Sequence, residues 1–113
     1  MALAVFAHEG NAIDYTPTSD VAAGDVVVQG DLVGVARSPI AANAPGSLAA
    51  CGVFDFPKAT GTGSGIAVGT KAYWDATDKQ AKADDETGAN KLLGKTVKAA
   101  ADADTTVRVR LSQ

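Results

Sequence analysis

The alternation of apolar and polar residues is clearest in residues 21–37, which have the pattern of a β-hairpin. The first apolar run contains three consecutive valines at 26–28, residues 29–31 (Gln-Gly-Asp) form a turn, and a second apolar run follows. Gly30 can supply the positive φ that a tight reversal needs. Because the valine run is apolar on both faces of a strand, it predicts a strand that is covered on both sides.

A looser copy of this pattern occurs later in the chain. Residues 66–75 repeat the first strand and the small residues before it, and residues 92–98 repeat the second strand, with Leu-Leu-Gly in place of the Leu-Val-Gly at 32–34. The copy predicts two related hairpins packed into one β domain. A charged insert at 75–90 separates its two strands, and this insert has no apolar face to bury. We expect it to be an exposed loop or an irregular hairpin tip.

Three further segments have the pattern of strands. Residues 48–56 form one apolar run, which predicts a single strand. Residues 106–111 alternate strictly, with valine and leucine on one face and with Arg108 and Arg110 on the other. Residues 1–20 begin with a short alternating apolar segment, and they are either the domain's first strand or an arm that reaches onto a neighbouring molecule.

Six or more short strands, separated by glycine and proline, predict an all-β fold, either a small barrel or a sandwich. We assign residues 21–113 to this domain and residues 1–20 to the N-terminal arm or first strand. Two prolines predict a loop at 38–47, and the glycines of 60–65 predict a flexible turn.

Composition limits the size of the core and the classes of partner. The chain has 113 residues, enough for one domain; 46% are hydrophobic, but many of these are alanine and only 5% are aromatic. Such a thin core predicts that the protein gains stability by burying a surface against copies of itself or a partner. The net charge of −3 argues against nucleic acid as a partner. No apolar stretch approaches the roughly 20 residues of a membrane span, and the first residues lack the basic region of a signal peptide, so we expect neither membrane insertion nor secretion.

No residue pattern indicates an active site. Cys51 lies in an apolar run, where we expect a small buried side chain, and His8 lies beside a glutamate, where we expect a solvated side chain and no metal. The Gly-Lys-Thr at 94–96 lacks the spacing and the following helix of a phosphate-binding loop, and the glycines at 61–65 enter a strand. The carboxylates at 84–86 lack the apolar surroundings that raise a pKa. We therefore expect no enzymatic activity and no cofactor.

Two pairs of residues are candidates for contacts. Tyr73 and Trp74 face opposite sides of a strand, so one is expected in the core and the other at a rim or interface, rather than together in a stacking platform. Arg108 and Arg110 form a positive stripe on the last strand. Two interpretations of this stripe stay open: a charged edge that prevents aggregation, and a contact with a carboxylate-rich partner.

Six motifs, in order and together covering nearly the whole chain, resemble the capsid cement (decoration) proteins of tailed bacteriophages. This group was long catalogued as a domain of unknown function and sometimes labelled recombinase-like. The motifs are His-Glu-Gly-Asn-Ala-Ile-Asp-Tyr-Thr-Pro at 8–17, Ala-Ala-Gly-Asp-Val-Val-Val at 22–28, Leu-Val-Gly-Val-Ala at 32–36, Gly-Val-Phe-Asp-Phe-Pro-Lys at 52–58, Gly-Thr-Lys-Ala-Tyr-Trp-Asp at 69–75 and Leu-Gly-Lys-Thr-Val at 93–97.

The resemblance implies a small β protein that binds the outer surface of the assembled phage head, commonly as a trimer, and clamps neighbouring capsomers. Its expected partners are the major capsid protein and other copies of the chain; its expected location is the virion, after synthesis in the host cytoplasm. The family has no catalytic residues, and the residues here do not support the recombinase-like label.

Contacts with the capsid or between copies are expected from the first 20 residues and from the last strand. The candidate residues are Leu3, Val5, Phe6, Tyr15, Trp74, Arg108 and Arg110. An alternative is a glycan- or host-surface-binding module displayed on the virion, which would use Tyr73 or Trp74. A third hypothesis, a nucleotide-dependent recombination factor, would require ATP binding that depends on Lys95.

Overall fold

The computed structural model describes residues 4, 7 and 10–112, and these residues form β-strands and no helix. The all-β prediction is therefore confirmed. Leu3, Val5, Phe6 and His8 lie outside the described residues. The strands are β1 (Ala12–Tyr15), β2 (Val26–Gln29), β3 (Leu32–Val35), β4 (Gly46–Ala49), β5 (Gly52–Pro57), β6 (Lys71–Asp75), β7 (Gln80–Lys82), β8 (Lys91–Thr96) and β9 (Thr106–Leu111).

The strands form two antiparallel sheets that pack as a sandwich rather than closing into a barrel. The four-stranded sheet has the order β1-β4-β3-β2, and the five-stranded sheet has the order β5-β9-β8-β6-β7. β1 pairs with β4 along its whole length, so this part of residues 1–20 is a strand of the sheet. No helix in the part of the chain that the structure describes is long and apolar enough to cross a membrane.

The first predicted hairpin is present as β2 and β3. Gln29 is opposite Leu32, so Gly30 and Asp31 form a two-residue turn, and Gly30 has a φ of 62°. In typical two-residue hairpin turns, either the first central residue or both central residues have a positive φ. Glycine adopts a positive φ without a steric penalty.

The second predicted hairpin is β6 with β8, and the repeat extends further than the sequence indicated. In both sheets the first strand lies beside the fourth, followed by the third and the second, and β7 is added only at the edge of the second sheet. The same backbone hydrogen bonds recur in both copies. In the first copy, Gly24 N donates to Ala36 O, Ala36 N donates to Asp25 O, and Val21 is bridged to Ile40. In the second copy, Gly69 N donates to Thr96 O, Thr96 N donates to Thr70 O, and Ile66 is bridged to Ala100.

Two apolar clusters hold the sandwich together. The main core lies between the sheets and takes Val33 and Val35 from β3 and most of its large side chains, such as Phe56 and Trp74, from the five-stranded sheet. A smaller cluster covers the other face of the four-stranded sheet, where Leu48 packs under the loop that carries Ile40. Val26 and Val28 contact the main core and Val27 contacts the smaller cluster, so the prediction that this strand is covered on both faces is confirmed.

The prediction of one strand over residues 48–56 is wrong. The apolar run is divided into β4, which pairs with β1 and β3, and β5, which pairs with β9 in the other sheet. Gly52 begins β5 with a φ of 124°, a value that favours glycine, so the chain can change direction there. The prediction that Cys51 is buried is wrong for the same reason, because this residue lies at the crossing point, is exposed, and its Sγ donates to Asn11 Oδ1 at 3.1 Å.

The charged insert is a hairpin tip with one added strand. β6 ends at Asp75, the chain turns, and β7 pairs back with β6. Lys79, Glu86 and Thr87 have positive φ in its turns. Of the two alternatives that the sequence left open, the hairpin tip is the observed one.

Candidate functional site: the exposed face of the five-stranded sheet

Arg108 and Arg110 lie on β9, in the interior of the five-stranded sheet and between β5 and β8. The strict alternation of this strand is confirmed, because Val107, Val109 and Leu111 are buried while both arginines are exposed. The interpretation of the stripe as a protected sheet edge is wrong, since β9 has neighbours on both sides.

Arg108 is already paired within the chain. Its Nε donates to Asp55 Oδ1 at 2.9 Å and its Nη2 donates to Asp55 Oδ2 at 3.2 Å, so the contact is bidentate. Asp55 is directly opposite Arg108 on β5, and the hydrogen bond from the guanidinium lowers the pKa of this carboxyl below its usual value. The positive charge of Arg108 is therefore largely balanced on the surface of the protein itself.

Arg110 instead belongs to a line of cations across three strands. Arg110 on β9 is opposite Lys95 on β8, and Lys95 is opposite Lys71 on β6. Directly opposed residues of antiparallel strands project from the same face, so the three side chains lie side by side, and all three residues are exposed. Within the described part of the chain the side chains of these three residues form no hydrogen bond or ion pair. We call Lys71, Lys95 and Arg110 the basic row.

Apolar side chains border the basic row on the same face. Val53 on β5 is opposite Arg110 and is 55% exposed. Tyr73 lies two residues after Lys71 on β6 and is half-buried opposite Leu92. The face therefore combines a row of positive charge with partly exposed apolar side chains.

Trp74 lies in the interior, and Tyr15 is half-buried on the other sheet. Trp74 is 6% exposed, and its ring is 6.0 Å from that of Phe56, so the prediction that Tyr73 and Trp74 divide between core and surface is confirmed. Tyr15 packs against the smaller apolar cluster. We therefore leave Trp74 out of the contact surface proposed below.

A cleft of about 570 Å³ opens between the two sheets. Its apolar lining includes the valines of β2 together with Phe54, Phe56 and Trp74. Three carboxylates also line it, and each already accepts a hydrogen bond: Asp20 from Ala42 N, Asp25 from Ala22 N and Asp55 from Arg108. These hydrogen bonds hold the turns at Asp20 and Asp25 and join β5 to β9.

The carboxylates of the charged insert are arranged around Lys82. Its Nζ lies 2.7 Å from Asp75 Oδ2, 2.7 Å from Asp78 Oδ2 and 3.2 Å from Glu86 Oε1. Hydrogen bonds from Lys82 and from the Asp78 and Thr77 amides lower the pKa of the Asp75 carboxyl, and the carboxylates raise the pKa of Lys82. The insert is thus a folded tip held by ion pairs. Among the described residues no group of three or more His, Cys, Asp or Glu side chains is placed to hold a metal ion.

The glycine-containing motifs have structural roles. Thr96 lies inside β8, where its Oγ1 donates to Ala67 O at 2.7 Å and accepts from Thr70 N at 3.0 Å, so the Gly-Lys-Thr run is part of a strand. The loop at 60–65 is tied to Asp102, whose carboxylate accepts hydrogen bonds from the amides of Gly63 and Gly65.

Sequence reasoning missed two of the three members of the basic row. The repeat contained the signal, because Lys71 and Lys95 occupy the positions that Val26 and Val35 occupy in the first copy. In the first copy these valines face the main core, whereas in the second copy lysines face solvent. A residue-by-residue alignment of the two hairpins would have found the substitution.

Comparison with known proteins identifies one family. The family model for phage cement proteins matches residues 7–111, which include the nine strands found among the described residues. No curated protein and no solved structure shows a significant match to the chain.

Proposed function

The chain belongs to the phage cement protein family, and on that basis we propose that it stabilises a tailed-phage head by binding the outer surface of the shell and bridging neighbouring subunits of the major capsid protein. Family membership gives the chain a structural role in association with the phage capsid. We propose three further points: the protein binds the outer surface of the shell, it bridges neighbouring subunits, and those subunits are the major capsid protein.

The observation that carries the proposal is the extent of the family match, which contains β1 to β9 from end to end. The exposed face of the five-stranded sheet supports it, because a basic row bordered by Val53, Tyr73 and Leu92 is suited to protein contact. The three carboxylates of the cleft accept hydrogen bonds, and three carboxylates of the charged insert form ion pairs with Lys82, which is consistent with a structural protein.

The physical basis of cementing is linkage. A protein that binds the mature shell and not its disassembled subunits stabilises the shell by RT ln(1 + [L]/Kd) per site, which is about 2.7 kcal/mol when the free concentration is 100 times Kd. Bridging two subunits would add effective concentration, because the second contact forms within an already bound molecule.

We further propose that the protein assembles as a homotrimer in the virion after synthesis in the host cytoplasm. The first 20 residues, with Leu3, Val5 and Phe6, and the half-buried Tyr15 are candidates for contacts between copies or with the shell. Light scattering of the isolated protein tests the trimer, and a mass near three times 11.3 kDa is expected.

The cementing role is tested with phage heads that lack this protein. We expect these heads to lose their DNA at a lower temperature than complete heads and at low salt concentrations that complete heads withstand, and to regain resistance when the purified protein is added back. Equal resistance of complete and deficient heads would contradict the proposal.

A further inference from the structure

We infer that the basic row of Lys71, Lys95 and Arg110 is the surface that faces the shell, and that it binds carboxylates of the capsid protein. This inference rests on the proposed function and adds to it a place on the chain and the chemistry of the partner.

The first argument is the electrostatic cost of the row. Like charges directly opposite each other on neighbouring strands destabilise a sheet, and here two such pairs share Lys95. An opposite-charge pair is possible on this face, because Arg108 is directly opposite the acidic Asp55. Solubility would be served equally well by charges of alternating sign. Three adjacent cations without internal partners are therefore suited to a negative surface outside the chain.

The second argument comes from the internal repeat. In the four-stranded sheet, the corresponding line of opposed residues runs through Ala49, Val35 and Val26. There Val35 and Val26 pack against the main core, so this face of the repeat is the one that binds the other sheet. In the five-stranded sheet the residues at the equivalent positions are exposed cations, Lys71, Lys95 and Arg110. The positions that bind the other sheet in the first copy are therefore suited to bind a negatively charged partner in the second copy.

The third argument distinguishes the shell from a second copy of the chain. Most described carboxylates already accept hydrogen bonds or ion pairs within the chain. The exceptions are Asp14 on β1 of the four-stranded sheet and Asp85 in the loop between β7 and β8, so the two lie on different elements. Two separated carboxylates cannot match a continuous line of three cations. A nucleic acid is disfavoured by the net charge of −3, because the rest of the chain would repel it.

The dimensions of the row define the partner further. Neighbouring strands are about 4.8 Å apart, so the backbones of β6 and β9 are separated by roughly 10 Å. Two or three carboxylates on one strand or turn of the partner, at alternate residues about 7 Å apart, would fit this span. The guanidinium of Arg110 can hold one carboxylate in a bidentate contact, and the lysines add point charges.

The test uses purified shells that lack this protein, the full-length chain and a charge-reversed variant, Lys95→Glu. The matched control is Arg37→Glu, which makes the same charge change at an exposed residue outside the row. Co-sedimentation with shells is measured between low and moderate salt. We expect Lys95→Glu to bind at least about tenfold more weakly than the unaltered chain at low salt, and Arg37→Glu to bind like it. We also expect Lys71→Gln to weaken binding and to reduce its salt dependence.

Each outcome has a separate meaning. Undiminished binding by Lys95→Glu would overturn the inference and leave the proposed function in place, whereas failure of the unaltered chain to bind shells would overturn the proposed function itself. If light scattering showed that Lys95→Glu dissociates an oligomer, the row would be a contact between copies, and the inference would be wrong. Binding of the unaltered chain to DNA, lost in Lys95→Glu, would also overturn it. Fluorescence of Trp74 verifies that each variant is folded.

Discussion

Asp75 is the residue on which the charged insert depends. It is buried at the end of β6, where its Oδ1 accepts hydrogen bonds from the amides of Thr77 and Asp78 and its Oδ2 contacts Lys82. The amides fix the turn after β6, and the ammonium joins that turn to β7. A neutral side chain of similar shape would keep part of the first interaction and lose the electrostatic part of the second.

The stability contributed by Asp75 should depend on pH with a defined sign. The folded state lowers the pKa of this carboxyl below its ordinary value of 3.8, so its contribution is present above about pH 4 and is lost as the pH falls through the lowered pKa. Lys82 has a raised pKa and stays protonated throughout the acidic range, so the loss at low pH comes from protonation of the carboxyl. We expect Asp75→Asn to lower the melting temperature at pH 7, and this difference to shrink towards pH 2.

Thermal unfolding monitored by circular dichroism between pH 2 and pH 7 measures the difference. Asp85→Asn is the control, because no side-chain hydrogen bond or ion pair of Asp85 is present among the described residues. A difference between the Asp75→Asn variant and the unaltered chain that stayed constant down to pH 2 would show that the charge of Asp75 does not stabilise the insert.

Single residues also show where sequence reasoning ends. The division of Tyr73 and Trp74 between surface and core was predictable because neighbouring residues of a strand face opposite ways. The burial of Lys58 was not predictable. Its Nζ donates to the carbonyl oxygens of Ala59 and Asp104, and Asp104 lies 46 positions further along the chain. No local pattern indicates that two distant loops enclose an ammonium group.

At the scale of elements, β8 and β9 lie close together at Gly94. A Cβ added at this residue would collide with the backbone carbonyl oxygen of Arg110 and would approach the amide nitrogen of Ser112 at 2.9 Å. That amide donates to the carbonyl oxygen of Leu93, so the obstacle is fixed backbone that cannot rotate away. The close approach also sets the spacing between the strands that carry Lys95 and Arg110.

We therefore expect Gly94→Ala to be strongly destabilising, by roughly 2–4 kcal/mol, because the two strands must separate to admit the methyl group. Urea unfolding measures the loss. Gly10→Ala is the matched control, since a Cβ at Gly10 would meet nothing within 4 Å, and it should change the free energy of unfolding by less than about 0.5 kcal/mol. Equal stability of the two variants would mean that the strands can shift without cost.

The elements differ in how far the sequence specifies them. Both hairpins could be predicted because their turns and apolar runs are local signals. The division of residues 48–56 between two sheets could not be predicted, because the apolar run is continuous and the change of sheet is set by pairing partners elsewhere in the chain. The strand β7 was missed as such because Gln80–Lys82 is short and has no apolar alternation of its own; it pairs with β6 through the turn that Asp75 holds.

The whole molecule is a stack of two copies of one four-stranded unit, joined through different faces. The first sheet presents Val26 and Val35 to the second, whereas the equivalent residues of the second sheet, Lys71 and Lys95, belong to the exposed basic row. The thin, alanine-rich composition is consistent with this arrangement, because one shared core serves both sheets. The sequence indicated the repeat. The packing of the copies depends on positions at which they differ, such as Val26 and Val35 in the first copy and Lys71 and Lys95 in the second.

A shared core predicts that the two sheets unfold together. Val33 is fully buried on β3 of the four-stranded sheet, whereas Trp74 reports on the five-stranded sheet. We expect Val33→Ala to lower the free energy of unfolding by about 2 kcal/mol, since it leaves a cavity in the core between the sheets. The midpoint should shift equally in far-ultraviolet circular dichroism and in Trp74 fluorescence, at one fixed protein concentration because any oligomer contributes to stability.

The matched control for this prediction is Val68→Ala, which removes the same two methyl groups from a side chain that is 61% exposed and should leave both midpoints nearly unchanged. A shift in circular dichroism without a shift in Trp74 fluorescence would show that the sheets unfold separately. The repeat would then consist of two weakly coupled units. Coincident shifts would instead mean that the two sheets unfold as one cooperative unit, so that the sheet that carries the basic row is stabilised by the same core as the four-stranded sheet.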